Sequence, residues 1–455
     1  MLPSVRMDST SRQTVKRQKV HLQQDINKFR EISNCNLDQL RIGENRHFKS
    51  KQKHQLVLGF HKNLVSTDAQ RNETCFERER ARAENFSQCL QPNFNTLHLE
   101  RQHDGLDYDT LHQLDTEHAI QMLTSSKWHE STRGAVHWQF DQILPRCLVK
   151  PTKKGGSFAL DGFEYSLLHK LGSGAYGTVF LCRTQDEGQR QEHDRFALKV
   201  QSPVGCLAWE YLVLDKLKYR VTDNNMFPEA SSINFFSNGG AIQMTAGSES
   251  GFNLLDVVNL YKGNVPELIA IHYTHRMLCT LEELHLRGKF LHADVKPDNW
   301  IIRNHPEIVS DLMLIDFGRA VELSDKVMRE GLSGTVAAED LECIAMRNER
   351  KWCFDIDCFG LCVCSHLLLF GTYMELVKTR GNKWILKEPL RRYWQTPLWR
   401  LLFDSFINVE TLDVGTYAKK LGDIKQAFAM HLAFKSRDLK PLLLNLNTLI
   451  PHRKI

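Results

Sequence analysis

The 455-residue chain lacks any long uninterrupted apolar stretch. Its longest apolar run, residues 359–370, contains Gly360 and His366 and falls short of the ~18 apolar residues that a membrane-spanning helix requires. The N-terminal residues also lack the apolar segment that is typical of a secretory signal peptide. We therefore expect a soluble intracellular protein that has no membrane partner.

Two other features are missing. The 12 cysteines do not follow the spacing of a disulfide framework, which predicts reduced thiols. The formal net charge of +5 is small for this length, so charge gives no reason to expect a direct nucleic-acid partner. There is no internal repeat either.

The N-terminal part of the chain has few apolar residues. Residues 1 to about 125 are rich in Gln, Asn, Arg, His and Glu, a composition that cannot bury a sizeable core. We predict that residues 1–127 form a polar and mostly disordered region, with short helices around 68–87 and 108–123. The basic cluster at residues 16–19 is either a nuclear targeting patch or part of a solvated tail.

The most informative stretch is the nine-residue sequence LHADVKPDN, which begins at Leu291 and is followed downstream by Asp316-Phe317-Gly318. A carboxylate, a lysine and a carboxamide in one short loop suit phosphoryl transfer. Asp294 is the candidate base and Lys296 the residue that steadies the transferring group. Asn299 and Asp316 are the candidate Mg²⁺ ligands.

A glycine-rich loop lies upstream, with Gly172, Gly174 and Gly177 in the pattern G-x-G-x-x-G. This pattern alone also marks dinucleotide sites, which need a helix directly after the glycines. Residues 178–200 are instead strand-like and hairpin-like. The loop is therefore predicted to cover nucleotide phosphates, and Val179 to cover one face of the adenine.

The apolar strand that follows, residues 196–200, carries one lysine, Lys199. Such a lysine often belongs to an edge strand and reaches into solvent. After a glycine loop and before Glu210, it is instead the candidate lysine for the α and β phosphates, with Glu210 as its ion-pair partner. Ala197 completes the predicted ATP-binding set. The short spacing from Lys199 to Glu210 requires a helix that starts abruptly.

In this order of motifs, residues 161–450 resemble the protein kinase superfamily. The resemblance implies an α+β fold of two lobes, a small and mostly β N-lobe and a large and mostly α C-lobe. Finer features are similar to the Bub-family mitotic checkpoint serine/threonine kinases. They are the small residue Ala293 in the catalytic loop and the sequences NLYK from Asn259, DIDCFG from Asp355 and LFGTYM from Leu369. Residues 128–160, with Trp138, resemble the arm that packs on the kinase N-lobe in that family.

The resemblance implies ATP-dependent phosphorylation of a protein substrate, and Lys296 is the residue type found in serine/threonine kinases. It further implies action in the spindle checkpoint, on a histone tail at centromeres, with kinetochore or checkpoint proteins as partners. The expected location is the nucleus, and the kinetochore or centromere in mitosis. The alternative is a pseudokinase scaffold of the checkpoint. A helical-repeat domain like that of many Bub proteins is not evident.

Ala293 occupies the position at which most regulated kinases have an arginine that binds a phosphate on the activation segment. We therefore expect activity that does not need phosphorylation between Asp316 and Asp357. Asp357 resembles the family's buried aspartate that hydrogen-bonds the catalytic loop. Either Glu339 or Glu342 is the glutamate that ends the activation segment.

Four cysteines and a histidine in one stretch suggest a metal site at first sight. Cys362 and Cys364 are two residues apart on a predicted buried helix and therefore point about 200° apart, so they cannot easily share a metal ion. We predict core thiols for the whole cluster. Its members are Cys353, Cys358, Cys362, Cys364 and His366.

Overall fold

The protein was analysed as a computed structural model. The residues that it describes are 106–124, 136–138, 157–160, 163–174, 177–184, 195–201, 206–236, 239–248, 250–303, 311–336, 342–409 and 413–450.

Fifteen strands occur in the described residues. They are β1 Leu106–Asp107, β2 Val136–Trp138, β3 Ser157–Leu160, β4 Phe163–Ser173, β5 Gly177–Thr184, β6 Arg195–Gln201, β7 Ala230–Phe236, β8 Gly239–Thr245, β9 Phe290–Leu291, β10 Trp300–Arg303, β11 Asp311–Leu314, β12 Val321–Glu322, β13 Leu332–Ser333, β14 Leu376–Lys378 and β15 Trp384–Leu386.

Ten α-helices occur in the same residues. They are α1 Tyr108–Thr124, α2 Leu207–Arg220, α3 Leu254–Leu260, α4 Glu267–Glu282, α5 Asp325–Glu330, α6 Ile344–Arg347, α7 Asp355–Phe370, α8 Thr396–Phe406, α9 Val414–Phe434 and α10 Ser436–Leu449. A π-helix, Glu283–Gly288, continues α4, and short 3-10 turns lie at Asn224–Met226, Pro297–Asn299 and Phe317–Arg319.

The N-lobe contains a seven-stranded sheet in the order β2-β7-β8-β6-β5-β4-β3. All its pairs are antiparallel except β2 with β7, which run parallel. The central strands bury apolar residues on both faces of the sheet, Phe180 and Leu198 on one face and Leu181 and Ala197 on the other. Helix α2 packs against β7 and β8 and lies next to α1.

The C-lobe is mostly helical and is centred on α7. Every residue of this 16-residue helix is buried, which fits its apolar sequence on all sides. Helices α7 and α9 both pack on α4. A side chain at Gly360 would place its Cβ 2.3 Å from the carbonyl oxygen of Val295, so only glycine lets α7 approach the loop that contains Asp294 so closely.

The two-lobed α+β kinase fold that the sequence predicts is confirmed. The helix expected around 108–123 is present as α1, and residues 106–124 pair and pack with the rest of the fold. The helix expected around 68–87 lies outside the described residues. The domain boundaries at 127 and 160 stay predictions, and of the region 128–160 the structure describes two strands of the N-lobe sheet.

Within the described ranges, no helix combines the length and the apolar character needed to cross a membrane.

Candidate active site

Three predicted ATP-binding residues share one face of the N-lobe sheet. Val179 of β5 lies opposite Lys199 of β6 in the strand register, and Ala197 is two residues before Lys199 on the same strand. Residues directly opposite each other, or two apart on one strand, project to the same side of a sheet. Ala197 is buried and Val179 half-buried. The sequence thus presents a small residue, a branched residue and a cation on a common surface.

The ammonium group of Lys199 joins the two lobes. Its Nζ donates to Glu210 Oε2 at 2.6 Å and to Asp316 Oδ1 at 2.7 Å. Burial opposes the charge on Lys199, but the two carboxylates hold the pKa of its ammonium group above the usual value. Lys199 in turn lowers the pKa of Asp316 to about 2, so this carboxylate is ionised throughout the neutral range.

Helix α2 starts as abruptly as the spacing requires. It begins at Leu207, and Glu210 lies in its first turn with its N–H bonded to the carbonyl of Cys206. Trp209 Nε1 donates to the carbonyl of Ala320 at 2.8 Å. Further along the helix, Lys216 and Arg220 both bind Glu322 at 2.7 Å. These contacts tie α2 to the residues that directly follow Asp316.

The catalytic-loop residues converge on Asp294, which is buried. Lys296 Nζ donates to Asp294 Oδ2 at 2.7 Å. Asn299 Nδ2 donates to the main-chain carbonyl of Asp294 at 2.9 Å and to Oδ2 at 3.3 Å. Asp294 Oδ1 is buried and accepts no hydrogen bond from the described residues, and its nearest cation is Arg319 Nη1 at 3.8 Å.

Asp357 holds the backbone of this loop, in the way that its resemblance to the buried kinase aspartate indicated. Its two carboxylate oxygens accept from the N–H groups of His292 and Ala293 at 2.7 and 2.8 Å. Ala293 has a φ of 59°, a left-handed conformation that costs a non-glycine residue roughly 1–2 kcal/mol. The hydrogen bonds from Asp357 stabilise this backbone, and His285 Nε2 also contacts Asp357 at 2.8 Å.

Phe317, which follows Asp316, is fully buried between the lobes. Its ring meets that of Phe227 edge-on at 5.8 Å and that of His292 at 4.8 Å. His292 Nδ1 accepts from the N–H of Asp294, and Nε2 bonds to the carbonyl of Ile315. His292 is therefore a packed residue that supports the loop.

The three glycines lie where β4 ends and β5 begins: Gly172 is in β4, Gly174 directly follows this strand, and Gly177 is the first residue of β5. The N–H of Gly174 donates to the carbonyl of Gly177 at 2.9 Å. A Cβ at Gly177 would lie 2.7 Å from the carbonyl oxygen of Val200, whereas Gly172 and Gly174 face open space. The backbone of the turn therefore leaves room above the sheet face that carries Lys199, and a ligand could approach it closely.

Helix α1 contributes contacts that the sequence analysis missed. Tyr108 donates its hydroxyl to the carbonyl of Arg319 at 3.1 Å, and His112 Nε2 lies 2.6 Å from the carbonyl of Gly318. Burial raises the pKa of the Tyr108 phenol above its usual value, so the hydroxyl keeps its proton. Strand β1 also pairs with β13. No local sequence signal identifies these contacts, because the partners lie more than 200 residues apart.

The described residues between Asp316 and Asp357, which are 317–336 and 342–356, are held by contacts of several kinds. Ser324 caps α5 by accepting from the N–H of Val327 at 3.2 Å. Trp352 is fully buried, pairs with Leu332 through its backbone and donates Nε1 to the carbonyl of Gly334. Glu342 accepts from Arg347 Nε through its main-chain carbonyl. Glu339 lies outside the described residues, so the choice between the two glutamates stays open.

The donor set fits a hard divalent cation that is shared with phosphate. Asp316 supplies a carboxylate, and Asn299 has an amide oxygen that accepts no hydrogen bond from the described residues. Mg²⁺ typically binds one or two carboxylates and takes its remaining ligands from water and substrate phosphates.

No group of three or more His, Cys, Asp or Glu suited to a metal ion occurs in the described residues. The four cysteines predicted as core thiols are buried, and burial raises their pKa values.

Residues 165–388 match the protein kinase domain family. Three curated relatives are mitotic checkpoint or spindle assembly checkpoint serine/threonine-protein kinases named BUB1. The Arabidopsis thaliana protein is 28% identical over 306 residues, which are 62% of this chain and 56% of that protein. The Saccharomyces cerevisiae protein is 27% identical over 55% of this chain and 26% of its own length. The Mus musculus protein is 29% identical over 65% of this chain and 28% of its own length.

This chain thus spans about half of the plant relative and about a quarter of the yeast and mouse relatives. Among solved structures, the BubR1 kinase domain superposes with a TM-score of 0.61 at 23% identity and covers 74% of this chain and 98% of its own. That likeness supports the fold. The domain match shows a protein kinase domain over residues 165–388, and the chain is similar to the BUB1 kinases over 55–65% of its length.

Proposed function

We propose that this chain is an ATP-dependent protein serine/threonine kinase. The observation that carries the proposal is the double ion pair of Lys199 with Glu210 and Asp316. This arrangement holds a cation and a metal-binding carboxylate beside the sheet face on which Val179 and Ala197 lie. Such a pairing is a requirement for phosphoryl transfer in kinases.

The glycine turn of Gly172, Gly174 and Gly177 would offer backbone N–H groups to the phosphates of ATP. Lys199 would bind the α and β phosphates, and Glu210 would hold Lys199 in position. Val179 and Ala197 would contact the adenine. The roles of Val179, Ala197 and Lys199 follow from their position on a common face of the sheet, and the role of Glu210 follows from its ion pair with Lys199.

Asp294 would receive the proton of the attacking hydroxyl. Its Oδ1 accepts no hydrogen bond from the described residues and so keeps its capacity to accept a proton. Its Oδ2 is held by Lys296 and Asn299, which fix the orientation of the carboxylate. Lys296 is also near enough to neutralise charge on the transferring group.

Asn299 and Asp316 would hold Mg²⁺, which neutralises charge on the β and γ phosphates when it is bound. Asp316 suits this role because Lys199 keeps it ionised. Asn299 suits it because its amide nitrogen is committed to Asp294, which leaves the amide oxygen to face a cation.

The biological setting follows from the named relatives. Proteins described as mitotic and spindle assembly checkpoint kinases support a role in the same process, with checkpoint or kinetochore proteins as partners and the nucleus or kinetochore as location. A histone tail is the proposed acceptor. The alternative, a checkpoint scaffold without catalysis, gains no support from the likeness to the BubR1 kinase domain, which shows the fold alone.

The test is a transfer assay run beside a nucleotide titration on the full chain. We expect binding of ATP with Mg²⁺ and phosphate transfer to serine or threonine of histone and peptide acceptors, and none to small-molecule acceptors. Asp294→Asn provides the matched inactive control. A folded chain that binds no nucleotide, or that transfers no more phosphate than the Asp294→Asn variant, would favour the scaffold.

A further inference from the structure

A second concave site lies in the C-lobe, away from the residues proposed for catalysis. It is a pocket of about 480 Å³ between the end of α6 and the hairpin of β14 and β15. This volume lies within the ~300–1,000 Å³ range of small-ligand sites. Asn348 and Arg350 form one wall, and Lys378, Asn382 and Trp384 form the other.

Two exposed cations lie on opposite walls of the pocket. Arg350 forms no ion pair or side-chain hydrogen bond with the described residues, and Lys378 makes only a cation–π contact with the Trp384 ring at 5.7 Å. Arg350 acts electrostatically on the carboxylate of Asp355. That carboxylate is buried, however, and accepts its hydrogen bond from the N–H of Cys353 and none from Arg350. Both cations are therefore available to an incoming anion.

The hairpin wall of the pocket also contains neutral polar side chains. Asn408 fixes the wall, because its side chain bonds both the N–H and the carbonyl of Trp384 at 2.9 and 2.8 Å. Asn382 is held in the hairpin turn with a φ of 61°.

The surroundings of the pocket are strongly basic. Residues 375–400 contain seven Lys or Arg and two Glu, a formal charge of 7 − 2 = +5, which equals the net charge of the whole chain. All seven cationic side chains are exposed, and among the described residues Lys387 alone of the seven is ion-paired with a carboxylate, that of Glu375. Such a patch attracts anions and orients them toward the pocket.

A chain of contacts connects the pocket to the proposed base. Val295, next to Asp294, packs against Gly360 of α7. On the neighbouring residue of α7, the ring of Phe359 lies under the Arg347 guanidinium at 5.3 Å. Arg347 is the last residue of α6, which leads into the pocket wall at Asn348 and Arg350. The pocket is thus built on the same rigid elements as the catalytic loop.

We propose that this pocket binds an anionic side chain of the acceptor protein, a carboxylate or a phosphate, and so docks the acceptor on the C-lobe. Arg350 and Lys378 neutralise the oxyanion, and Asn382 donates a hydrogen bond to it. This inference rests on the proposed function, because it names how the acceptor polypeptide of that reaction is held. A nucleic acid is the less suitable occupant, because the pocket accommodates one compact group rather than a continuous backbone.

The test measures binding to the full chain by fluorescence polarisation, without catalysis. The probes are four labelled peptides of otherwise equal sequence that carry a phosphoserine, a glutamate pair, a serine or a glutamine pair, and a single-stranded oligonucleotide of equal charge. The variant R350A/K378A removes two exposed cations from the pocket. The matched control R392A/R400A removes two exposed cations from the same basic segment outside the pocket.

We expect the phosphoserine or glutamate peptide to bind at least about tenfold more tightly than its neutral partner, because charge-assisted hydrogen bonds are stronger than neutral ones. R350A/K378A should remove this preference, and R392A/R400A should change affinity less than about threefold. Comparing the two anionic peptides identifies whether the site takes a phosphate or a carboxylate.

Three outcomes would overturn the proposal. They are equal affinity for charged and neutral peptides, equal losses in both double variants, and tighter binding of the oligonucleotide through the same two cations. Thermal midpoints of both variants are recorded to exclude unfolding. A nucleotide titration and a transfer assay of the wild-type chain are separate readouts, so anionic peptides that bind to a chain without transfer activity would reject the proposed function and leave the docking site standing.

Discussion

The contacts from α1 to the segment after Asp316 predict a dependence of activity on Tyr108 and His112. Tyr108→Phe removes a hydroxyl that donates to the carbonyl of Arg319, and His112→Ala removes the partner of the Gly318 carbonyl. Each loss leaves a partly buried carbonyl without its donor, at a cost of about 1 kcal/mol. Together the two losses destabilise the backbone conformation that positions Asp316 by about 2 kcal/mol, which corresponds to a factor of about 30 in the equilibrium constant for that conformation.

We therefore expect the double variant to lower kcat/KM for phosphate transfer by about tenfold to thirtyfold, and each single variant by about fivefold. The two side chains are neighbours on one helix, so their effects need not add, and the double-mutant cycle measures their coupling. The assay is steady-state transfer with the full chain, recorded beside its thermal midpoint.

Gln113→Ala is the matched control. Gln113 lies next to His112 on α1, but its side chain bonds only the exposed Glu117. The control should keep activity within about twofold of wild type, as surface changes usually do. A folded double variant with wild-type activity would refute the role given to α1, as would an equal loss in Gln113→Ala.

Three other predictions follow from the same site. Asp294→Asn should lower turnover by about 10²–10⁴ and leave ATP affinity nearly unchanged, whereas Asp316→Ala should lose both; equal weakening of ATP binding in a nucleotide titration would contradict these roles. Replacing Ser324, Ser333 and Thr335 by alanine should lower transfer activity by less than about tenfold, because Ala293 cannot bind a phosphate, and a loss beyond about a hundredfold at unchanged stability would show that another cation does so. Burial, aided by the charge of Glu322, raises the pKa of Asp115 to about 7, so ionisation of this carboxyl group opposes folding at any pH above its unfolded pKa. The gain in thermal midpoint from Asp115→Asn should therefore grow between about pH 4 and 7 and then stay level. A gain that is independent of pH would reject this reasoning.

The fold and the candidate site residues were predictable because each depends on local sequence. The strand pattern around Gly177, the helix before Leu291 and the polar catalytic loop all have short-range signals, and the predicted order of elements is confirmed by the fold. The roles of Lys199, Asp294 and Asp316 stay predictions, although the structure brings each of them next to a charged partner.

The contribution of α1 was not predictable for a physical reason. Its sequence is polar, and of its residues only Tyr108, Ala119 and Leu123 are buried apolar side chains. The helix is held instead by hydrogen bonds to main-chain carbonyls far along the chain. Every residue type has a main-chain carbonyl, so the sequence does not show which of them will accept such a bond. The pocket beside Trp384 was missed for a related reason, because its walls come from segments that the sequence places apart.

The burial of Phe317 has a consequence for inhibitors. Its ring is enclosed by Phe227 and His292, and the backbone next to it is bound by Trp209, Tyr108 and His112. A compound that needs the space behind Phe317 must expose this ring, at about 1.5–3 kcal/mol, and also break hydrogen bonds from two helices. Compounds that occupy the nucleotide cleft without moving Phe317 meet no such penalty, so selective ligands of this protein should be sought among those that compete directly with ATP.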